Sequence, residues 1–435
     1  MSAQEKMRQS AKDPLIQAAL SSGHRIVMGP GEPALSEWAA AGLSLPNLEE
    51  MRNYRVNRIR EQLVKNDIAG ALLFDPLNLM YATDSPNMQL WVTHNQARWA
   101  FIAADGPIVL WEFNDCDFLS GHNSHVSEVR PNTSFTYFLA GDRSDEQAEK
   151  MAKEINALVK EHGGGNTRLA VDVIPPQGAA ALEATGLTLT NGMQIMERAR
   201  AIKGEDELLA MRCGIEATRI SCQKLFEAIT PGISEQQLWG VLWAEMLARG
   251  GEWMECRLLS AGPRTNPWFQ ECSSYVIQDG DLVGLDTDLV GSYGMMTDIS
   301  RTWICGDLEP NAEQRHTHEL ALEQMMRNTE LLTPGRTFHE LTHKAWFPSI
   351  DDYRHYSCLF HGVGQCDEWP GIGFPASWDS HGYDGVLEPG MVMTVESYVG
   401  PYAGGEGVKL EDQILITETG YENLTPWSLS LTEFC

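Results

Sequence analysis

The residues of this chain with the most chemical capacity lie in five short stretches of its C-terminal half. One is His361-Gly362-Val363-Gly364-Gln365-Cys366-Asp367-Glu368-Trp369-Pro370. A histidine followed by a Gly-x-Gly turn sits on a bend that can aim an imidazole into a cavity, and an acidic residue follows six positions later. Alone, such a stretch is more often structural than metal-ligating. Upstream, however, lie Leu285-Asp286-Thr287-Asp288 and Thr297-Asp298-Ile299-Ser300-Arg301-Thr302. Downstream lie Val392-Met393-Thr394-Val395-Glu396 and Gly407-Val408-Lys409-Leu410-Glu411-Asp412. In each of these four a carboxylate sits inside or at the end of an apolar, strand-like run. Burying it there is costly unless it is paired or bound to a cation. Four such segments and one histidine make a hard, oxygen-rich pocket with a single nitrogen donor. That suits one or two divalent ions such as manganese, iron, cobalt or zinc.

The elements that must position these residues are legible in outline. At 435 residues the chain is long enough for two domains with substantial cores, and 43% hydrophobic with 21% charged residues is ordinary for a globular protein. The net charge of −28 disfavours nucleic acid and anionic membranes as partners. The N-terminus has no apolar core of a signal peptide, and no window approaches ~20 uninterrupted apolar residues. Nine scattered cysteines without a CxxC pair suit reduced thiols, so the expected location is cytoplasmic. Cys366 lies next to the site, but no base for it is identifiable.

Residues 1–45 read as a short helix followed by an arm. Apolar spacing predicts an Arg-rich helix over Leu48–Asn66 and a buried strand over Ile68–Phe74. A turn at Asp75–Asn78 follows, then strands at Trp99–Ala103, Pro107–Glu112 and Val126–Val129. A helix over Glu146–Glu161 stops at Gly163-Gly164-Gly165, and a strand at Arg168–Val173 completes an α/β half. The domain boundary falls near Asn191–Gly204, dividing the chain into 1–200 and 201–435. Beyond it come helices at Glu205–Ile229, after Ser234 with Gln237, after Asn311 with Gln314 as far as Leu332, and after Thr337 with Glu340, each pair a capping-box signature. Strand-like segments are Arg257–Ser260, Tyr275–Ile277 and Asp281–Leu285, with strand and turn over 391–418. Helices interleaved with locally pairing strands make this half α+β.

The motifs together resemble a known superfamily. Residues 200–435 are similar to the pita-bread enzymes: methionine aminopeptidases, prolidases, aminopeptidase P and creatinase. The resemblance rests on Asp286/Asp288, Asp298 in TDISRT, His361 in HGVG, Glu396 after LEPGMVMTV, Glu411 in GVKLED, and the opening Ile202-Lys203-Gly204-Glu205-Asp206-Glu207. Residues 50–200 resemble, less specifically, the N-terminal domain of prolidase and creatinase. The resemblance implies a dinuclear metal site on Asp286, Asp288, Asp298, His361, Glu396 and Glu411, with the direct ligand among Asp286 and Asp288 left open. It also implies a homodimer.

The peptidase pattern is broken where it would cut amides. The histidine that follows HGxG in peptidases is replaced by Asp367, allowing a one-residue deletion, and 262–269 holds no histidine where peptidases keep another. The same departures resemble the DddP-type dimethylsulfoniopropionate lyases. That branch implies iron at the metal pair, with zinc, manganese or cobalt as alternatives, and Asp367 as base. It also implies an aromatic site of Tyr356, Trp369 and, from the N-terminal domain, Trp91. Tyr356 is also a candidate hydrogen-bonding catalytic group. A carboxylate desolvated among aromatics is a better base than a free one, and aromatic faces attract an onium group. Structural roles compete at several positions: turn-capping for Asp367, core packing for Trp91, and carboxylate anchoring for Arg264 and Arg301. Two other functions compete: a Xaa-Pro dipeptidase or creatinase-like hydrolase, whose histidine pair is missing, and a metal-free binding protein, which should have lost metal carboxylates.

Overall fold

The computed structural model describes residues 29–434, so the helix expected near the start of the chain lies outside the described residues. The described chain opens with α1 (Ala34–Ala40) and forms two units, one of residues 47–200 and one of 29–46 with 201–434. The segment 29–46 clusters with the second unit because Glu37 pairs with Arg249 at 2.8 Å and Trp38 meets the ring of Tyr293.

In the first unit, α2 (Leu48–Lys65) starts at Asn47, whose side chain accepts the amides of Glu49 and Glu50. After β1 (Gly70–Leu73), the segment expected to be a turn is the start of a helix, α3 (Pro76–Thr83). Asp75 caps the amides of Leu77 and Asn78, and Pro76 brings a preset φ to the first turn. The unit continues with α4 (Gln89–His94), β2 (Trp99–Ala103), β3 (Ile108–Glu112), β4 (Val126–Pro131), α5 (Ser144–His162), β5 (Arg168–Val171), α6 (Pro176–Ala184), β6 (Thr188–Asn191) and α7 (Gly192–Arg200). The six strands form one mixed sheet in the order β4-β3-β2-β1-β5-β6. Side chains alternate across it. Leu72, Phe101 and Val109 meet Met151 and Ile155 of α5, whereas Ala71, Leu73, Ile102 and Leu110 meet Val56 and Ile59 of α2 with Ile195 of α7.

The second unit begins with α8 (Glu205–Ala228) and α9 (Glu235–Ala248), the latter held by the Ser234/Gln237 capping box. Then follow β7 (Trp253–Met254), β8 (Leu259–Ala261), β9 (Leu282–Asp286), β10 (Leu289–Val290), β11 (Met296–Thr297) and β12 (Ser300–Ile304). Helices α10 (Ala312–Thr329) and α11 (Phe338–Lys344) have the expected capping boxes. The remaining strands are β13 (Tyr353–Arg354), β14 (Phe360–Val363), β15 (Asp367–Ile372), β16 (Val392–Pro401), β17 (Val408–Ile416) and β18 (Tyr421–Asn423). The segment Tyr275–Ile277 is no strand; it makes a single bridge between Val276 and Ser234. A nine-stranded sheet runs β15-β14-β16-β17-β12-β9-β8, with β13 on β16 and β18 on β17, and β7, β10 and β11 form a small sheet of their own.

Strands β16 and β17 are buried at every position. On one face Met393, Val395, Val399, Leu410 and Ile414 join Ala321 and Met325 of α10 in an apolar core. By alternation, the other face presents Thr394, Glu396, Tyr398, Lys409, Glu411 and Gln413. The strand pairing that holds this face is secured by Arg301. Its buried guanidinium donates to the carbonyls of Ser300, Glu411, Thr425, Trp427 and Ser428 and to the carboxylate of Asp412. Replacing Arg301 with alanine should lower stability by about 3–5 kcal/mol, because it strands a buried carboxylate and five carbonyls. Thermal or urea unfolding measures this, and an Arg143→Ala control at a surface pair should leave the midpoint unchanged.

Candidate metal centre and active site

The strand register sets out the centre. Glu396 of β16 is directly paired with Glu411 of β17, Glu411 with Ser300 of β12, and Ser300 with Asp286 of β9. Directly paired residues point to the same face, so one row across four neighbouring strands carries three carboxylates and a hydroxyl. Ser300 Oγ lies 2.7 Å from both Asp286 Oδ1 and Glu411 Oε2, donating within the row. Asp288 and Asp298 come from the loops between β9 and β12, and Asp288 takes a left-handed backbone (φ 38°), uncommon outside glycine.

His361 enters from β14. Its Nε2 lies 3.2 Å from Glu396 Oε1, 3.5 Å from Asp298 Oδ2 and 3.7 Å from Glu411 Oε1. Its Nδ1 lies 3.1 Å from the carbonyl of Gly362, a partner for an Nδ1 proton that turns Nε2 toward the carboxylates. A bulge between His361 and Gly362 shifts the β14–β15 register and aims the ring. The glycines here are required by close approach. A Cβ on Gly362 would meet the Trp369 carbonyl at 2.6 Å, and one on Gly364 would collide with the Glu368 carboxylate.

The described residues thus bring all six expected ligands together as two groups sharing Asp298: Asp286, Asp288 and Asp298, and Asp298, His361, Glu396 and Glu411. Ligand atoms within each group lie within 4.8 Å of one another. Burial, helped by neighbouring carboxylates and opposed by Lys409, pushes the carboxyls of Asp286 and Glu411 up to about 7; burial and then neighbouring carboxylates push those of Asp288 and Asp298 well above the usual carboxylate range. Burial works against charge on His361 too, but Asp367 and Glu396 outweigh it and raise the imidazole well above its ordinary value.

Lys409 is the cation that reasoning from sequence missed. Its buried Nζ lies 2.6 Å from Glu396, 3.0 Å from Glu411 and 3.3 Å from Asp286. A signal was present: Lys409 stands two positions before Glu411, hence on the same strand face. With His361 neutral, as an ion ligand must be, five carboxylates against this one ammonium leave a formal charge of four negatives, which two divalent cations would neutralise. Oδ1 of Asp298 and Oε1 of Glu411 are buried without a hydrogen-bond donor. Unsatisfied buried acceptors of this kind cost about 1–3 kcal/mol each, and a cation would meet both. The donor set therefore fits divalent ions.

At the rim, Asp367 Oδ1 lies 3.5 Å from His361 Nδ1, and its side chain is 52% exposed. The desolvation expected of this residue is not supplied by its own unit. Glu255 faces it: burial, then the charges of Asp367 and Asp288, push the Glu255 carboxyl up to about 8, while the Asp367 amide donates to it. Nothing in the sequence marked Glu255, because the link from β7 to β8 delivers it through tertiary structure. Tyr356 lies against the cage, its ring 4.2 Å from Lys409 Nζ and stacked on Phe269 at 5.0 Å. Burial and the charges of Glu396 and Asp286 hold its phenol far above its ordinary value, hence protonated. The ring of Trp369 packs on Phe338 and Tyr383. Trp91, on α4 of the first unit, packs on Phe113 and Phe138. Arg264 holds the buried Glu235 at 3.0 Å, and Arg301 holds Asp412 at 2.8 Å, so both are anchors. Two thiols flank the cage: Cys256 donates to Asp288, and Cys358 lies beside His361 and Glu396, its thiol pushed up to about 12 by burial.

Residues 210–418 match the metallopeptidase family M24, and residues 55–202 match the creatinase/prolidase N-terminal domain. The chain is 48% identical over 415 residues to the dimethylsulfoniopropionate lyase DddP of Roseovarius nubinhibens, covering 94% of this chain and 93% of that protein. It is 42% identical over 426 residues to the dimethylsulfoniopropionate lyase DddP of Roseobacter denitrificans, covering 95% of each. The prolidase of Pyrococcus horikoshii shares the fold, with a TM-score of 0.69 at 23% identity over 87% of this chain and 99% of that one. On near full-length identity to two such lyases, with both domains matched in order, this chain belongs to the DddP family of dimethylsulfoniopropionate lyases.

Proposed function

We propose that this protein is a metal-dependent carbon–sulfur lyase that splits dimethylsulfoniopropionate into dimethyl sulfide and acrylate, with Asp367 as the base. The observation that carries this reading is the place of Asp367: outside the carboxylate cage, open to solvent, and 3.5 Å from the outer nitrogen of the cage imidazole. A carboxylate held there is free to take a proton rather than a metal.

The substrate has a carboxylate at one end and a dimethylsulfonium at the other. Asp367 takes the proton from the carbon next to the carboxylate, that electron pair becomes the carbon–carbon double bond, and the carbon–sulfur pair leaves with sulfur. Asp286, Asp288, Asp298, His361, Glu396 and Glu411 would hold a pair of divalent ions (iron foremost, with zinc, manganese and cobalt as alternatives), which would supply Lewis-acid stabilisation of charge on the substrate carboxylate. Tyr356, which keeps its proton, serves as a hydrogen-bond donor to substrate oxygen. The Asp367 carboxylate at the rim attracts the sulfonium, and Trp369 and Trp91 are the candidate aromatic partners for that group, worth roughly 0.5–2 kcal/mol per ring. The working form in this reading is a cytoplasmic homodimer, in which bound substrate and a second subunit would exclude water from the half-exposed Asp367.

The hydrolase reading is disfavoured because its histidine pair is missing: Asp367 stands where the peptidases keep the histidine after HGxG, and 262–269 holds no histidine. The metal-free reading is disfavoured because all six ligand positions are kept.

Asp367→Ala should cut dimethyl sulfide release in a headspace assay by about 10²–10⁴-fold. Metal content by elemental analysis should stay at the wild-type level; retention of most activity would mean another base. The pH dependence of stability tests the cage. Asp286 and Glu411 have carboxyls raised to about 7, so the ion-free protein loses stability as pH rises from the ordinary carboxylate range through about 7. Ion binding releases those protons. The gap in thermal midpoint between ion-loaded and chelator-treated protein should therefore widen between about pH 5.5 and about pH 7.5. Size-exclusion chromatography with light scattering should give twice the 48.4 kDa of one chain.

A further inference from the structure

Behind the proposed base lies a buried ion pair that the chemistry above does not use. Lys203 Nζ is 3.1 Å from Glu368 Oε2, and the two side chains are 2% and 0% exposed. Glu368 follows Asp367 directly and points the opposite way on β15. Its other oxygen, Oε1, accepts the amide of Gln365 at 3.0 Å, inside the turn that joins His361 to Asp367. The turn has two further ties. The Gly364 amide donates to the Cys366 carbonyl at 3.1 Å, and the Gly364 carbonyl accepts the Met296 amide at 2.7 Å. Lys203 is itself fixed, its amide donating to the Gly390 carbonyl at 2.9 Å. The carboxylate of Glu368 fills the space that a side chain at Gly364 would take.

We infer that Lys203 and Glu368 are positioning residues: their ion pair locks the 364–368 turn and so sets the place of Asp367 relative to His361. A buried pair of this kind is poor at adding net stability, since desolvation offsets most of the attraction. Its effect is geometric. Asp367 is open to solvent on its own side, so its position is fixed largely by the backbone that carries it. A displacement of about 1 Å at a reacting group can cost about 10²-fold in rate. The inference rests on Asp367 being the base.

The test uses the metal-loaded, full-length protein and dimethylsulfoniopropionate. Lys203→Met should lower kcat by about 10–100-fold, with KM within about twofold and metal content unchanged. Lys203→Met leaves Glu368 charged and buried, so a second variant guards against misfolding. The double variant Lys203→Met/Glu368→Gln keeps an acceptor for the Gln365 amide without a lone buried charge. It should fold, bind metal and still show the lowered kcat. A double variant with wild-type kcat would overturn the inference, as would a folded, metal-replete Lys203→Met enzyme within about twofold of wild type. A Lys203→Arg variant should recover part of the rate, which a loss caused by poor folding alone would not require. Asp367→Ala run alongside separates the two readings: if it keeps its rate, the base assignment fails, whereas if it is inactive while the Lys203 variants are fully active, only the positioning role fails.

Discussion

Five carboxylates converge in the dry interior of one sheet face, and everything around them answers to their mutual repulsion. Two like charges 4 Å apart repel by about 4 kcal/mol at an effective dielectric of about 20. Several such pairs would rival the whole stability of a domain, typically about 5–15 kcal/mol. One ammonium, that of Lys409, is too little to offset them. The fold therefore has two stable conditions: protons on the carboxyls, or multivalent cations among them. The second produces a site, and the imidazole of His361, with its outer nitrogen engaged by the Gly362 carbonyl, is oriented for it.

The register of the sheet makes this arrangement cooperative. Glu396, Glu411, Ser300 and Asp286 form one transverse row, so each ligand depends on the pairing of its neighbours. A slip of one residue in β17 would drive Glu411 into the apolar core under α10 and bring Leu410 or Asp412 to the cage. Such a slip is opposed by the burial of both faces and by Arg301, whose guanidinium grips the Glu411 carbonyl. Stability and chemistry thus draw on the same hydrogen bonds. The like-charged pair Glu396/Glu411, unfavourable as a cross-strand neighbour, is tolerated because the rest of the sheet enforces it.

Much of this could be read from the chain. The carboxylates of the candidate site were recognisable because each interrupts an apolar run, and a charge in such a place needs a physical reason; His361 was recognisable by its Gly-x-Gly turn. The capping boxes at Ser234, Asn311 and Thr337 were readable because they are local, as was the α/β character of the first unit. Residues brought in by tertiary structure were not. Glu255 and Cys256 come from a short link with no periodicity, and Lys203 lies 165 positions from its partner Glu368. Lys409 was hidden differently: it belongs to a recognised motif, but the two-residue period that places it beside Glu411 went unused. The turn read at Asp75–Asn78 is a helix start because aspartate and proline serve both structures equally well, and only the packing of Leu79 and Tyr81 decides.

The bulge between His361 and Gly362 has an evolutionary consequence. An irregularity of this type absorbs an added or missing residue within a single hairpin, leaving strands on either side in place. The hairpin tip can therefore change its length, and with it the side chain presented beside the imidazole, while the row of Glu396, Glu411, Ser300 and Asp286 stays intact. Diversification of chemistry in a scaffold of this kind is cheapest at that tip, where one lineage can trade amide cleavage for elimination without rebuilding its core.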